Sequence, residues 1–131
     1  MSISLSNAHL VTRIEATRSF IDQGELNARI RLYAGTRPLS PEETPTSAML
    51  AEVQLTKPCG TITGLTLNLT TVSNALITQT GVVTWARLVN GNEETALDLD
   101  CSETDAGGDI QFAQTQLYAG GYAQLTSASL S

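Results

Sequence analysis

Histidine occurs once in this chain of 131 residues, at position 9, and cysteine twice, at positions 59 and 101. A zinc site needs clustered nitrogen or sulfur ligands, and these two thiols do not form a CxxC pair. Any Ser-His-Asp arrangement has only His9 to draw on, and neither a GxSxG elbow nor an HExxH motif is present. The expectation is therefore no catalytic residue, no metal and no cofactor, with His9 on a helix surface.

Charge is scarce as well. Only 15% of residues are charged, and thirteen acids against seven bases give a net charge of −6. That balance repels phosphate backbones and argues against nucleic-acid binding. The basic residues Arg29, Arg31 and Arg37 form the one local concentration, too small for a groove-sized patch. No apolar run reaches the length of a bilayer span, so no membrane role is expected. The opening "MSISLSNAHLVTR" lacks a basic n-region, a continuous apolar core and a small-residue cleavage pattern. Cytosolic synthesis with reduced thiols is the expectation.

Hard oxygen ligands gather only in "DLDCSETDAGGD", where Asp98, Asp100, Glu103, Asp105 and Asp109 lie close in sequence. The EF-hand spacing is missing. Asp98 and Asp100 read as the solvent face of a strand, and the segment from Asp105 to Asp109 as turn formers.

What is present is enough apolar material, 41% of residues, for a single domain over 1–131. A chain of this length buries about two-thirds of its unfolded surface without metals or disulfides. Residues of about 6–23 read as the one helix. Ser6 or Asn7 can cap its start, and Gly24 suits a left-handed position after its end. Leu10, Ile14 and Ile21, with Val11 beside them, form a narrow apolar stripe that needs a partner surface, either the chain's own sheet or another subunit.

Beyond Gly24 the period becomes two. Leu26, Ala28, Ile30 and Leu32 alternate with polar residues, as in a half-buried strand. The segment 34–48 carries Pro38, Pro41 and Pro45, so it is expected to be a stiff, extended loop. A second strand follows from Met49 and is expected to end at "KPCG", leaving Cys59 in a turn. In "TITGLTLNLTTVSNALITQTG", Leu65, Leu67 and Leu69 share a face, with a break near Ser73-Asn74. "VVTWARLV" is the strongest strand signal, and "NGN" at 90–92 marks a hairpin into Leu97, Leu99 and Cys101. Cys101 shares their parity and reads as a buried, inert thiol. Ile110 and Phe112 open a short strand, and "YAGGYAQLTSASL" bends into a last one. About seven strands separated by turns predict a mainly β fold: an antiparallel β-sandwich, or a small barrel, with one N-terminal α-helix.

Trp85 reads as a core anchor with its indole N–H satisfied, the alternative being an exposed platform for a sugar or a partner. Tyr33, Tyr118 and Tyr122 read as packing residues, the alternative being the rim of a contact.

The turns and strands also resemble those of small tailed-bacteriophage virion proteins. Ile30, Leu32, Tyr33, Gly35 and Pro38 fit an I-x-L-Y-x-G-x-x-P signature at the strand-to-loop boundary. Leu50, Ala51, Glu52, Leu55 and Pro58 fit the following strand. Thr80, Gly81, Trp85 and Arg87 fit a TG-x-x-x-W-x-R element, and Gly120 with Gly121 the closing bend. This resemblance implies a non-enzymatic virion protein, foremost a capsid decoration (cement) protein. It would bind the major capsid protein and copies of itself, as dimers or trimers on the outside of the head. A neck or tail accessory protein is the alternative within the class, because the family's loop between the second and fourth strands is often longer than here. A carbohydrate-binding module is the alternative outside it. Expected contact residues are Leu10, Ile14 and Ile21 on the helix and Arg37, Pro38, Pro41, Glu42, Glu43 and Pro45 on the loop.

Overall fold

The computed structural model describes residues 3–72 and 75–130. One helix, α1 (Asn7–Ile21), precedes eleven strands. In chain order these are β1 (Arg29–Tyr33), β2 (Met49–Thr63), β3 (Thr66–Thr71), β4 (Ala75–Leu76), β5 (Gly81–Val82), β6 (Trp85–Val89), β7 (Thr95–Glu103), β8 (Ile110–Phe112), β9 (Gln116–Leu117), β10 (Tyr122–Ala123) and β11 (Leu125–Leu130). Seven of them close into a barrel in the order β1-β2-β3-β11-β8-β7-β6, with β6 pairing back onto β1. The fold is thus mainly β with one N-terminal helix, and of the two expected closures the barrel is the one formed. Closure leaves the main sheet without a free edge.

Strand register explains the core. Ile30 lies opposite Val53 on one side and Leu88 on the other, and Leu88 lies opposite Leu97. Leu32, Ala51, Ala86 and Leu99 form the next row. Across the far wall, Ile110 pairs with Ala128, and Leu130 with Leu67, so apolar partners continue around the ring. A one-residue slip in any strand would turn its apolar set outward, so this pattern fixes the register.

Several boundaries differ from the sequence expectation. The second strand does not stop at "KPCG". It continues to Thr63, pairing first with β1 and then with β3 across a register shift between Leu55 and Gly60. Pro58 sits in that irregular stretch, where its missing N–H removes no ladder bond. Cys59 is consequently fully buried, not in a turn. Its backbone N–H donates to Asp22 Oδ1 at 2.8 Å, tying the helix end to the strand. Leu65 falls in the turn between β2 and β3 and off the shared face. Leu26 is 60% exposed, because the strand begins only at Arg29. The expected break near Ser73-Asn74 lies outside the described residues.

The Trp85 strand divides at Val83-Thr84. Its first part pairs with β9 and its second enters the barrel. All five residues of β6 are buried, so both faces of this strand are covered. The sheet is also not wholly antiparallel. Residues Cys101–Glu103 of β7 run parallel to β8. The segment 104–109 is held in a tight crossover by the Asp109 amide on the Asp100 carbonyl (3.0 Å) and the Thr104 amide on the Phe112 carbonyl (2.9 Å). Sequence alternation carries no strand direction, so this pairing left no trace in it.

The helix starts as expected, Ser6 Oγ accepting from the His9 amide at 3.2 Å. Past its end Gly24 takes the left-handed φ of 97°. α1 rests against β2, β3 and β7. β7 lies across the ring from the neighbouring pair β2 and β3, so the helix crosses a barrel mouth. Ile21 is fully buried in the core, and Leu10, Val11 and Ile14 are half-buried.

The "NGN" turn locks this helix down. Asn90 is fully buried; its Nδ2 donates to the Phe20 carbonyl (3.2 Å) and Glu94 Oε1 (3.1 Å), and its Oδ1 accepts the Asn92 and Glu94 amides (both 3.0 Å). The Gly91 amide donates to the Gln23 carbonyl at 2.9 Å. A Cβ on Gly91 would lie 2.1 Å from the Leu26 carbonyl oxygen, so no larger residue fits. Replacing Asn90 by Ala is expected to lower unfolding free energy by about 2–3 kcal/mol, the cost of orphaned buried groups. Chemical denaturation measures it; a loss below about 0.5 kcal/mol would show that the turn does not hold the helix.

Candidate functional site

The outer face of β2, β1, β6 and β7 carries a row of four charges, two arginines flanked by two acids. Register places Glu52, Arg31, Arg87 and Asp98 side by side across the four strands. Arg31 and Arg87 are therefore direct cross-strand neighbours, an unfavourable pair unless compensated. Compensation comes from both ends and from the turn. Arg31 Nε bonds Glu52 Oε2 at 2.7 Å, and Glu93 accepts from both Arg29 and Arg31. Arg87 forms a two-pronged pair with Asp98, Nε to Oδ1 at 2.8 Å and Nη2 to Oδ2 at 3.1 Å.

Arg87 and Asp98 are 7% and 4% exposed at their side chains, so Asp98 does not lie on a solvent face as its parity predicted. The half-exposed Arg29, Arg31, Glu52 and Glu93 pairs each contribute about 0–1 kcal/mol. The buried pair is different, because removing one partner strands a charge in low dielectric. The Asp98 hydrogen bond keeps Arg87 firmly protonated, overcoming the desolvation that opposes it.

Beside this row, Tyr33 and Trp85 are register partners and stack at 4.5 Å with 14° between planes. Arg87 Cζ sits 5.6 Å from the Trp85 ring centre, close enough for a cation–π contribution. Trp85 is 1% exposed, so it is an anchor and no platform. Its indole Nε1 has no hydrogen-bond partner among the described residues, contrary to expectation. Burial pushes the Tyr33 hydroxyl above its ordinary range, against the opposing pull of Arg31 and Arg87.

The proline-rich loop 34–48 is fastened to this wall. Arg87 Nη1 donates to the Glu43 carbonyl at 2.7 Å, and Thr84 Oγ1 to the Gly35 carbonyl at 2.6 Å. Arg37 Nη1 meets Asp100 Oδ1 at 3.1 Å, and a turn closes with the Glu43 amide on the Ser40 carbonyl at 3.0 Å. Of the expected contact residues, Arg37, Pro41, Glu42 and Glu43 are exposed, while Pro38 and Pro45 are half-buried. Leu10 and Ile14 line a groove of about 370 Å³ beside the helix. Ile21, expected at a contact, has no surface to offer because it is wholly inside the chain's own core. Leu39 was missed. It is 98% exposed in the loop between Pro38 and Pro41 and was not among the expected contact residues.

A second surface lies where β4–β10 and β5–β9 pair outside the barrel. Tyr118 and Tyr122 are 64% and 65% exposed there, so they are not packed inside as expected, whereas Tyr33 is buried. They flank a groove of about 420 Å³ whose lining includes three glutamines and no charged residue.

Among the described residues no three His, Cys, Asp or Glu side chains converge as metal ligands, and no helix is long and apolar enough to cross a membrane. His9 is exposed on the helix. Cys59 and Cys101 are free thiols, and burial pushes each up to about 12, so both stay protonated near neutrality. No family model, curated protein or solved structure matches this chain.

Replacing Arg87 by Met is expected to destabilise the protein by about 3–5 kcal/mol, and the double variant Arg87→Met with Asp98→Leu to recover most of that loss. Urea unfolding of the three proteins reads the difference. A double variant no better than the single would show that the Glu43 carbonyl and Trp85 contacts, not the ion pair, carry the effect.

Proposed function

We propose that this protein is a non-enzymatic virion structural component of the capsid decoration type. It is made in the host cytoplasm and binds the outside of the head, touching the major capsid protein and copies of itself as a dimer or trimer. One observation supports the reading most. A fully exposed leucine, Leu39, is presented on a loop fastened to a rigid wall at Gly35, Arg37 and Glu43. A preordered loop gives up little conformational entropy on docking, so an apolar side chain on it adds directly to affinity. Arg37, Glu42 and Glu43, exposed and close to it in sequence, supply polar groups of the kind found at the rim of contact surfaces. The chemistry at hand fits contact better than turnover, since the thiols are protonated and the lone histidine sits on the helix surface. The assignment to phage virions rests on the resemblance of the sequence pattern from Ile30 to Arg87 and of the Gly120-Gly121 bend.

Purified protein added to undecorated heads is expected to raise their disruption temperature, and Leu39→Asp to weaken binding about tenfold or more while leaving the protein's own melting unchanged. Failure of the wild-type chain to bind heads, with recovery in the tail fraction, would overturn the decoration role.

A further inference from the structure

We propose that the groove between Tyr118 and Tyr122 is a binding site for a neutral carbohydrate. This site shares no residue with the proline-rich loop and does not rest on the decoration reading.

Three observations converge on it. First, two large aromatic side chains stand out of the surface at 64% and 65% exposure, where packing alone would have buried them. An exposed ring face attracts the polarised C–H groups of a sugar ring, and the phenol hydroxyl remains free to bond its oxygens. Second, the polar lining is made of carboxamides, Gln114, Gln116 and Gln124. A carboxamide both donates and accepts, which matches vicinal hydroxyls. Gln116 is already positioned by its Nε2, which donates to the Gly81 carbonyl (3.3 Å) and the Leu117 carbonyl (3.2 Å), leaving its oxygen to accept. Third, the lining carries no charge in a protein of net charge −6, so it offers no cation to favour phosphate, sulfate or carboxylate groups over neutral hydroxyls.

The groove is also built, not incidental. The bend between the tyrosines is closed by the Gly121 amide on the Tyr118 carbonyl (3.0 Å). It is held to the neighbouring strand by the Ile77 amide on the Gly121 carbonyl and the Gly120 amide on the Ile77 carbonyl, both 2.9 Å. The Ala119 amide donates to Thr80 Oγ1 at 3.0 Å. Leu117, 5% exposed, gives the floor an apolar base. A backbone fixed beneath both tyrosines keeps the ordering cost of binding low. At about 420 Å³ the space suits a short oligosaccharide.

The test uses the full chain and a panel of neutral glucose-, mannose- and galactose-based oligosaccharides beside sulfated and sialylated counterparts. At least one neutral member is expected to bind, with Tyr118→Ala and Tyr122→Ala each weakening it about tenfold, the loss of one ring face. Both side chains are exposed, so thermal unfolding is expected to stay unchanged. As a second readout, amide chemical shifts of the bend at 118–122 are expected to move on titration. Absence of binding across the panel overturns the proposal, as does binding that both variants retain or a preference for the charged members. A change of oligomeric state in the tyrosine variants without sugar binding also overturns it, and assigns the face to contacts between copies.

Discussion

Burial of the Arg87 guanidinium is the constraint around which the outer half of this molecule is arranged. A charge taken out of water needs both an opposite charge and partners for its remaining donors. Asp98 on the neighbouring strand supplies the first, and the Glu43 carbonyl of the proline-rich loop supplies a further acceptor. The flat side of the same group lies over Trp85, which in turn stacks on Tyr33. Two barrel strands, the aromatic pair and the loop are thereby joined through one side chain. Covering β6 on its outer face is a consequence, and it explains why a strand with an alternating polar position is buried throughout.

The inner and outer faces of the barrel serve different ends. Inside, Ile30, Val53, Leu88 and Leu97 form an apolar row with no polar demands, whose packing fixes register. Outside, charge pairing sets which residues stay covered and where the loop is held. The helix belongs to the inner system, since Ile21 is part of the core and Asn90 joins the helix end to the β6–β7 turn. Exposed apolar area is found at Leu39 on the loop and at Tyr118 and Tyr122 beside the groove.

Element type was legible in the sequence wherever period and punctuation agreed. The helix cap at Ser6, the hairpin at 90–92 and the shared parity of Ile30 with Leu32 and of Leu97 with Leu99 all follow from local chemistry. Other features depended on partners distant in sequence. Cys59 is buried because β2 bends across a register shift to reach β3, and nothing in "KPCG" encodes that bend. Asp98 is buried because Arg87 faces it and the loop closes over both, although its parity alone pointed outward. The parallel run of β7 and β8 is a property of the crossover at 104–109. Of the candidate site, the loop was readable from its prolines, but the exposure of Leu39 and of the two tyrosines was not, since exposure is set by what the rest of the chain leaves uncovered.

Amide hydrogen exchange on the free protein and on the protein bound to heads tests the docking account most directly. Amides of the loop, at 36–46 between its prolines, are expected to gain protection on binding, while the barrel strands are unchanged. Protection confined to the helix at Leu10 and Ile14, or to the bend at 118–122, with the loop exchanging as freely as before, would contradict it.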